Sequence, residues 1–501
     1  MRYTSTRDNS IHVDSLEVIS KGISNEGGLF VPESIPFFSL DQISNMVNLD
    51  YIEKAKLILS PFLTEFSLDE IEESLKKAYT IEKFGSINPA PLHNNFKNFD
   101  NLSSLELFHG PTLAFKDIAL QLLPNLLTKA IGKKYSDKEV MIMVATSGDT
   151  GKAALEGFKD IPKTKLIVFY PKDGVSHIQK LQMKTQEGKN LKVCAIEGNF
   201  DDAQTNVKNI FKSAAAKSKL DDNNMIFSSA NSINWGRLLP QIVYYFSSYC
   251  ELIKNGKIKI GEKINFVVPT GNFGNILAGY YAKEMGLPIG KLICASNKNN
   301  ILTDFIKSGI YNKKRKFYLT ISPSMDILVS SNLERLLYHL SNKNDSLISK
   351  YMNGLKYFNE YSVSHEIKQK IDNLFFAGYC NDQETSDTIK MFFEKEHYLF
   401  DPHSAVALNV YLKYLKETND KSHTVLVSTA NPYKFPNDTL NALGYKLKEQ
   451  INDFDAIEYL ERQTGIKAPK QVCMLKDKPI KFKEECAASN MEKCVLDFIE
   501  K

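Results

Sequence analysis

Strands and helices alternate along the middle of this chain, and that alternation constrains the fold more than any other feature. Uninterrupted apolar runs are typical of strands that are buried on both faces. The first set of predicted strands is Glu139–Thr146, Lys165–Tyr170, Leu191–Ile196 and Met225–Ser229. Helical spacing follows the strands, as over Lys152–Phe158 and Phe200–Ala216. Because strands joined through helices run parallel with right-handed crossovers, the pattern predicts a parallel sheet.

The same alternation then repeats. A long helix is predicted over Leu238–Ile253, and a shorter helix over Ile276–Met285. The accompanying strands are Lys263–Pro269, Lys291–Ala295 and Thr424–Ser428. The sequence therefore predicts an α/β fold with two doubly wound, mostly parallel sheets. A ligand cleft is expected between them, because open sheets bind ligands at the carboxyl ends of their strands.

The length of 501 residues predicts more than one domain, since single cores rarely exceed about 250–300 residues. We expect residues 1–95 to form a mostly helical N-terminal unit. A large domain is expected from residues 96–138 and 238–450, with a small α/β domain, residues 139–237, inserted in it. Residues 451–501 are polar with short amphipathic pieces, and we expect a C-terminal tail that wraps the surface.

Composition and charge narrow the possible functions. Hydrophobic residues make up 43% of the chain and charged residues 24%, which is typical of a soluble globular protein. The formal net charge of +4 gives no reason to expect nucleic-acid binding, which needs a concentrated basic face. No apolar run approaches the roughly 20 residues of a membrane span, so no membrane partner is expected. The N-terminus lacks the apolar segment of a signal peptide.

The cysteines are scattered through the chain. There are seven of them, none with Cys-x-x-Cys spacing. An odd number without that spacing fits reduced thiols in the cytoplasm better than a disulfide framework or a zinc site. We therefore expect a cytoplasmic protein and no metal site.

Lys116 is the first candidate for chemistry. It lies between Phe115 and Asp117 at the start of a helix predicted over Asp117–Ala130, which Pro124 interrupts. An apolar neighbour desolvates an amine and lowers its pKa, so that a lysine can act as a nucleophile or base near neutral pH. Taken alone, a surface lysine at a helix start is the commoner situation.

Two glycine-containing loops follow predicted strands and precede predicted helices. The first is Gly271–Asn275, where the free N–H groups and the dipole of the next helix suit a phosphate. The second is Ser147–Gly151, which adds hydroxyl groups and suits a carboxylate or a phosphate equally well. An ordinary turn at the first loop and simple helix capping at the second are the structural alternatives. No dinucleotide-binding or P-loop pattern is present.

Two further stretches contribute candidates. Asn231–Arg237 contains the single tryptophan, Trp235, and Arg237 could hold a phosphate through two hydrogen bonds. The alternative for Arg237 is a surface salt bridge. Ser428 and Thr429 lie at the end of the last predicted strand, and strand ends in open α/β sheets face the ligand cleft. The alternative is that these hydroxyl groups only form hydrogen bonds with water.

These stretches resemble the threonine synthases of fungi and many bacteria, within the fold-type II pyridoxal-phosphate enzymes. The resemblance covers most of the chain. The matching stretches are Tyr3–Arg7, Gly27–Pro32, His109–Asp117, Ser147–Gly151, Phe169–Ser176, Asn231–Arg237, Pro269–Asn275, Ser322–Leu328 and Ser428–Ala430. The sequence departs from the family pattern at Asp8, Asn431 and Tyr433.

The resemblance implies a role for each candidate. Lys116 would carry pyridoxal 5'-phosphate as a Schiff base and act as the catalytic base. The cofactor phosphate would be held by Gly271, Asn272, Phe273, Gly274 and Asn275, and the pyridine nitrogen would face Thr429. The substrate carboxylate would be bound by Ser147, Gly148, Asp149, Thr150 and Gly151. Candidates for the substrate phosphate are Lys172, Ser176, Asn234 and Arg237.

The implied reaction converts O-phospho-L-homoserine and water to L-threonine and phosphate, the last step of threonine biosynthesis. Lys116 would take the Cα proton while the cofactor ring withdraws electrons. A hydroxyl rather than a carboxylate at the pyridine nitrogen would favour elimination over transamination. The enzyme is expected to be a monomer or a homodimer.

Three alternatives stay open at the level of the sequence. A related phospho-lyase would release 2-oxobutyrate, ammonia and phosphate from the same substrate. A serine/threonine dehydratase is disfavoured, because its substrate has no phosphate to need Lys172 and Arg237. A non-catalytic binding protein is disfavoured too, because both Lys116 and the Gly271–Asn275 loop are intact.

Overall fold

The computed structural model describes residues 1–146, 148–173, 175–198, 200–445 and 451–500. Over these ranges, no helix combines the length and the apolar character that crossing a membrane requires.

The N-terminal region is mostly helical, with one small sheet. Its elements are β1 (Tyr3–Ser5), β2 (Asp8–Val13), α1 (Ser15–Lys21), β3 (Phe30–Pro32), α2 (Leu40–Met46), α3 (Tyr51–Leu59), α4 (Leu68–Ala78), α5 (Ile81–Phe84) and β4 (Leu92–His93). The first three strands form an antiparallel sheet in the order β2-β1-β3. The helices α2, α3 and α4 each begin at a capping box, at Ser39, Asp50 and Ser67.

The next region carries the first predicted alternation of strands and helices. Its elements are β5 (Leu102–Glu106), α6 (Lys116–Lys134), β6 (Glu139–Ala145), α7 (Asp149–Phe158), β7 (Thr164–Pro171), α8 (His177–Lys184), β8 (Leu191–Glu197), α9 (Phe200–Lys212), α10 (Ala214–Asp222), β9 (Met225–Ser229) and α11 (Trp235–Lys254). The predicted strands are confirmed. The single helix predicted over residues 200–216 is wrong, because Ser213 caps a second helix, α10.

The second alternation is longer than predicted. Its elements are β10 (Ile264–Pro269), α12 (Gly274–Glu284), β11 (Ile289–Ser296), α13 (Ile301–Ser308), β12 (Ile310–Asn312), α14 (Leu333–Leu340), α15 (Asp345–Tyr357), β13 (Glu360–Ser362), α16 (His365–Leu374), β14 (Phe375–Tyr379), α17 (Asp382–Glu396), α18 (Pro402–Thr418), β15 (Thr424–Ser428) and α19 (Pro436–Ala442). The last elements are α20 (Asp453–Thr464), α21 (Lys470–Cys473), β16 (Glu484–Ala487) and α22 (Met491–Ile499).

Two mostly parallel sheets organise the chain, as predicted. The large sheet has the strand order β14-β11-β10-β15-β5-β4, and only its short edge strand β4 is antiparallel. The small sheet has the order β16-β8-β7-β6-β9 and is parallel throughout. Val140 and Ile142 of β6 belong to one apolar cluster and Met141 and Met143 to another. Both faces of the sheet are therefore buried, which explains the uninterrupted apolar runs.

The C-terminal residues do not lie only on the surface, so that expectation is wrong for part of the tail. β16 pairs with β8 and forms the edge of the small sheet. Met491, Val495 and Ile499 of α22 are buried in the apolar cluster on one face of that sheet. The amphipathic spacing in the tail thus marks a helix that completes a core. The proposed division of the chain into domains stays a prediction.

Gly157 in α7 allows a test of how closely α7 packs against α6. A Cβ at Gly157 would lie 2.0 Å from the carbonyl oxygen of Leu120 in α6. We expect Gly157→Ala to lower the free energy of unfolding by about 1–3 kcal/mol, because neither backbone can move without disturbing the core. The urea unfolding midpoint measures this change.

Gly132 of α6 supplies the control. A Cβ there would meet no atom of the described residues within 4 Å. Gly132→Ala should therefore stabilise the helix by about 0.5–1 kcal/mol. Equal unfolding midpoints for the two variants would contradict the close approach of α6 and α7.

Candidate active site

Lys116 is the first residue of α6, and the loop before it is tied to the end of β15. The N–H of Phe115 donates to the carbonyl of Thr429 over 2.8 Å, and Ala114 forms a bridge with Ala430. The Lys116 side chain is only 11% exposed, and its Nζ lies 4.8 Å from the centre of the Phe115 ring. The amine is thus held at the carboxyl end of the large sheet, where ligands of open α/β sheets bind.

The Lys116 amine faces a buried carboxylate from the small-sheet side. Asp149, at the start of α7, has Oδ2 3.4 Å from Lys116 Nζ and Oδ1 2.6 Å from Lys434 Nζ. Gln179 Nε2 also donates to Oδ1, over 2.7 Å. Ser324 Oγ donates to Oδ2 over 3.3 Å. One carboxylate therefore joins segments from both sheets.

The charges in this cluster shift one another's pKa values. Burial lowers the pKa of Lys116, and the nearby charges of Lys434 and Arg237 lower it further against the opposing effect of Asp149. Burial alone would raise the pKa of Asp149, but Lys434, Lys116 and Gln179 together hold it well below its usual range. Burial also lowers the pKa of Arg237 to about 10. A lysine with a lowered pKa is available as a base or a nucleophile.

The Gly271–Asn275 loop joins β10 to α12 through a strained residue. Phe273 has a φ of 62°, in the left-handed region that residues other than glycine seldom adopt. The turn starts α12 at Gly274, so the amides of Gly274 and Asn275 belong to the first helical turn and have no intrahelical partner. The loop therefore presents N–H donors and the positive end of a helix dipole to an anion.

Asn275 is oriented by two tyrosines of α11. The hydroxyls of Tyr244 and Tyr245 donate to its Oδ1 over 2.8 and 2.9 Å. Its Nδ2 is buried and has no hydrogen-bond partner within the described structure, and the same holds for Nε of Arg237. Arg237 donates from Nη1 to the carbonyl of Ala230 over 2.6 Å. Two donors on residues that line one cavity are thus left for a ligand.

The second loop leads from β6 into α7. Gly148 has a φ of 135°, and a Cβ there would lie 2.6 Å from the Gln179 side chain. Thr146 Oγ1 accepts from the N–H groups of Gly148 and Gly151, both over 2.9 Å. The amides of Asp149 and Thr150 lie in the first turn of α7 and face no intrahelical carbonyl. Only a glycine suits position 148.

The end of β15 meets a buried polar network. The N–H of Thr429 donates to Ser404 Oγ over 3.2 Å, and Ser404 Oγ donates to Asp401. His403 Nε2 accepts from the N–H of Ser324 over 3.1 Å, while Nδ1 is 2.7 Å from Asp401. Because Nε2 accepts from this N–H, Nδ1 carries a proton and donates to Asp401. The network fixes Thr429 and the Ser324 loop relative to each other.

A cavity of about 70 Å³ lies between these elements. The predicted site residues that line it are Lys116, Asp149, Thr150, Arg237, Gly271, Asn272, Phe273, Gly274, Asn275 and Thr429. A wider cleft of about 620 Å³ adjoins the cavity, since Ser232 and Asn272 line both. Gly148 and Gly151 support the second loop, whereas Ser147 lies outside the described residues.

Three predicted substrate residues are placed elsewhere. Lys172 is half exposed at the end of β7 and pairs with Glu485 of β16 over 2.7 Å. Ser176 caps α8 through a capping box with Gln179. Asn234 caps α11 and donates to the carbonyls of Ile19 and Ser229. None of the three lines the cavity, and their contact with a substrate phosphate stays a prediction.

Several residues of the site were missed from the sequence. Lys434 and Gln179 are the main partners of Asp149. Lys434 carries no local signal, and the Ser176-x-x-Gln179 capping box marks the start of α8 but not the contact of Gln179 with Asp149. Asp401 did carry a signal, because an aspartate before Pro402 is typical of a helix N-cap.

Comparison with known proteins agrees with this geometry. A family model described as threonine synthase N terminus matches residues 2–79. Threonine synthase of Schizosaccharomyces pombe is 38% identical over 462 residues, covering 86% of this chain and 87% of the relative. Human threonine synthase-like 1 is 40% identical over 448 residues, covering 87% of this chain, which spans only 58% of the human protein.

A solved structure matches across the whole chain. It is a pyridoxal-phosphate-bound threonine synthase from Brucella melitensis, with a TM-score of 0.85, 34% identity and 100% coverage of both chains. Two doubly wound sheets with a buried lysine between them define the fold-type II class of pyridoxal-phosphate enzymes. Within that class, the chain belongs to the threonine synthase family.

The ion pair between Lys434 and Asp149 generates a prediction about stability. Lys434 is fully buried, and removing one partner of a buried pair leaves an uncompensated charge. We expect Lys434→Met to lower the free energy of unfolding by about 3–5 kcal/mol, because Lys116 at 3.4 Å cannot replace the lost contact. Urea unfolding of the cofactor-free protein measures this loss.

Lys413 provides a matched control. It pairs with Glu384 over 2.8 Å, but both side chains are more than a third exposed. Lys413→Met should cost less than about 1 kcal/mol. A similar loss for both variants would show that the Asp149 pair is no stronger than a surface pair.

Proposed function

We propose that the chain converts O-phospho-L-homoserine and water to L-threonine and phosphate with pyridoxal 5'-phosphate as cofactor. The observation that carries the proposal is a buried lysine of lowered pKa beside two helix N-termini and a buried arginine. The names of the relatives support it, since S. pombe threonine synthase and the Brucella melitensis enzyme match nearly the whole chain.

The residues of the cavity fit the cofactor. Asn275 Nδ2 is a buried donor without a partner among the described residues, so a cofactor oxygen would satisfy it, and the equally unpartnered Nε of Arg237 would stay available for the substrate. The first turn of α12 provides a phosphate site at Gly274 and Asn275. Lys116 Nζ would hold the cofactor covalently, and the Thr429 side chain would lie at the pyridine nitrogen. When bound, the cofactor withdraws electrons from the substrate's α-carbon.

The residues around Lys116 would then position the substrate and move its protons. The amides of Asp149 and Thr150 would bind the substrate carboxylate, since the Asp149 side chain is already used by Lys434 and Gln179. Lys116 Nζ, once free, would take the proton from the α-carbon, because its lowered pKa favours the neutral amine. Arg237 would face the γ-phosphate, and its positive charge would stabilise that group as it leaves.

The wider cleft would be the route by which the substrate enters. Arg7, Lys21, Lys212 and Lys217 line it, so it would attract a phosphorylated amino acid. A cytoplasmic location, a monomeric or homodimeric state and the absence of a nucleic-acid partner stay predictions.

Product analysis tests the function. Purified protein supplied with pyridoxal phosphate and O-phospho-L-homoserine should release L-threonine and phosphate in equal amounts. Lys116→Ala should lower the turnover by roughly 100-fold or more, which is the usual contribution of a general base. Lys129→Ala, on the same helix but paired with Glu73 at the surface, should retain activity.

Two outcomes would contradict the proposal. Release of 2-oxobutyrate and ammonia in place of threonine would identify a phospho-lyase. Full activity of Lys116→Ala with an unchanged circular dichroism spectrum would remove Lys116 from the mechanism.

The phosphate loop gives a second test, at Gly274. A Cβ there would have no protein atom closer than 3.5 Å, so alanine is compatible with the fold itself. If the backbone contacts the cofactor phosphate, Gly274→Ala should raise the dissociation constant of pyridoxal phosphate by about tenfold or more, which corresponds to about 1.4 kcal/mol. Absorbance titration of the cofactor-free protein measures the constant.

The control is the turnover of Gly274→Ala at saturating pyridoxal phosphate. This turnover should change by a smaller factor than the dissociation constant of the cofactor. An unchanged dissociation constant in the folded variant would show that the loop holds a different group.

A further inference from the structure

Three cysteines from distant parts of the chain converge beside the small sheet. They are Cys194 of β8, Cys486 of β16 and Cys494 of α22. All three Sγ atoms lie within 4.8 Å of one another, and those of Cys194 and Cys486 are 3.4 Å apart. No metal site was predicted from the sequence, because the three positions do not have the usual spacing of zinc ligands.

The strand register and the last helix produce this convergence. In the parallel pairing of β8 with β16, Cys194 is opposite Glu484, and Ile196 is opposite Cys486. Cys194 and Cys486 are therefore on the same face of the sheet, since side chains alternate along a strand. Met491, Val495 and Ile499 are buried in the cluster on that face and bring Cys494 of the same helix onto it.

A disulfide fits this arrangement poorly. Parallel strands lie about 4.8 Å apart and rise about 3.3 Å per residue, so residues offset by two positions on adjacent strands have Cα atoms roughly 8 Å apart. A disulfide needs Cα atoms about 4.4–6.8 Å apart, so bridging Cys194 and Cys486 would require the backbone to move. It would also leave the third thiol unused.

A thiolate-bound metal ion fits the arrangement better. With Zn–S bonds of about 2.3 Å, tetrahedral geometry separates the sulfur atoms by roughly 3.8 Å. That separation lies between the 3.4 Å of Cys194 and Cys486 and the 4.8 Å limit for the whole group. The separations between the sulfur atoms thus need to change by no more than about 1 Å for the three to share one metal centre.

Residues around the three cysteines could supply a fourth metal ligand and a positive charge that offsets the negative charge of three thiolates. A cavity of about 530 Å³ opens beside Cys194 and Cys494, and the acidic residues that line it are Glu484, Glu485, Asp497 and Glu500. A water molecule or a carboxylate can therefore complete a tetrahedron. Lys192 also lines the cavity, with Nζ 3.4 Å from the carbonyl of Cys494 and 3.1 Å from Glu484. Its positive charge would partly offset that of three thiolates.

We propose that Cys194, Cys486 and Cys494 bind a single thiophilic metal ion, Zn²⁺ or Cu⁺, independently of the proposed enzymatic reaction. On binding, each thiol releases its proton to solvent and each sulfur donates an electron pair to the metal, with no change of oxidation state. Soft thiolate ligands select these two ions. The ion fastens β16 and α22 to β8 and so stabilises the attachment of the C-terminal residues.

Metal binding to the purified full-length chain tests the proposal, with Zn²⁺, Cu⁺ and, as a spectroscopic probe, Co²⁺. We expect one ion per chain and a thiolate-to-Co²⁺ charge-transfer absorption. Cys194→Ser, Cys486→Ser and Cys494→Ser should each weaken binding by at least about tenfold, since even outer-shell changes cost 10- to 100-fold. Cys473→Ser, which removes an exposed cysteine outside the cluster, should bind as the wild type does.

Alkylation of the unmodified chain keeps the test decisive if a variant fails to fold. Zn²⁺ or Cu⁺ should protect the partly exposed Cys486 and Cys494 from alkylation, as read by mass spectrometry, while the exposed Cys473 still reacts. Protection by Zn²⁺ alone or by Cu⁺ alone would identify the ion. Absence of binding and protection with both ions would overturn the proposal, and so would isolation of the chain with a Cys194–Cys486 disulfide.

Discussion

The active-site region depends on the buried carboxylate of Asp149. An isolated carboxylate in the protein interior is costly, and this one is tolerated because Lys434, Lys116, Gln179 and Ser324 surround it. These partners lie in α6, in α8 and in the two short 3-10 helices Pro323–Met325 and Pro432–Lys434. Asp149 therefore determines how the two halves of the site face each other.

The loop that carries Asp149 has a conformation that gives this buried carboxylate one of its partners. Gly148 has a positive φ, and its missing Cβ leaves space for the Gln179 side chain that binds Asp149. Gln179 in turn belongs to the capping box at the start of α8. A local backbone conformation, a helix cap and a buried charge thus support one another, as expected when local and tertiary preferences agree.

How far the sequence predicts this arrangement depends on the range of the interactions. Four of the five strands of the small sheet and the Gly271–Asn275 loop were predicted because apolar runs and glycines act locally, whereas the edge strand β16 was missed. β5 was missed because Ser103 and Ser104 interrupt its apolar character, yet both are buried and hydrogen-bonded, to His423 and Ser428. β14 was missed because it follows α16 without an intervening turn.

In the candidate active site, too, local motifs could be predicted from the sequence but long-range contacts could not. Lys116, Asp149 and the Gly271–Asn275 loop were predicted from motifs as site residues, but Lys434 is 285 positions from Asp149, and only the tertiary fold pairs them. The cysteines of β8, β16 and α22 are another example, since their convergence depends on a strand register that no local pattern encodes. Long-range pairs between charged or polar groups are therefore what the sequence leaves undetermined.

The unequal distances around Asp149 bear on the reactivity of Lys116. Lys434 approaches the carboxylate to 2.6 Å, whereas Lys116 remains at 3.4 Å. A tight pair between Lys116 and Asp149 would favour the protonated amine and remove its lone pair from chemistry. Because Lys434 holds the carboxylate and also lowers the pKa of Lys116, it allows an acid and a reactive lysine to be buried side by side. On this view Lys434 is a positioning residue, whose charge helps to lower the pKa of Lys116 and so favours the neutral amine that the proposed reaction would use.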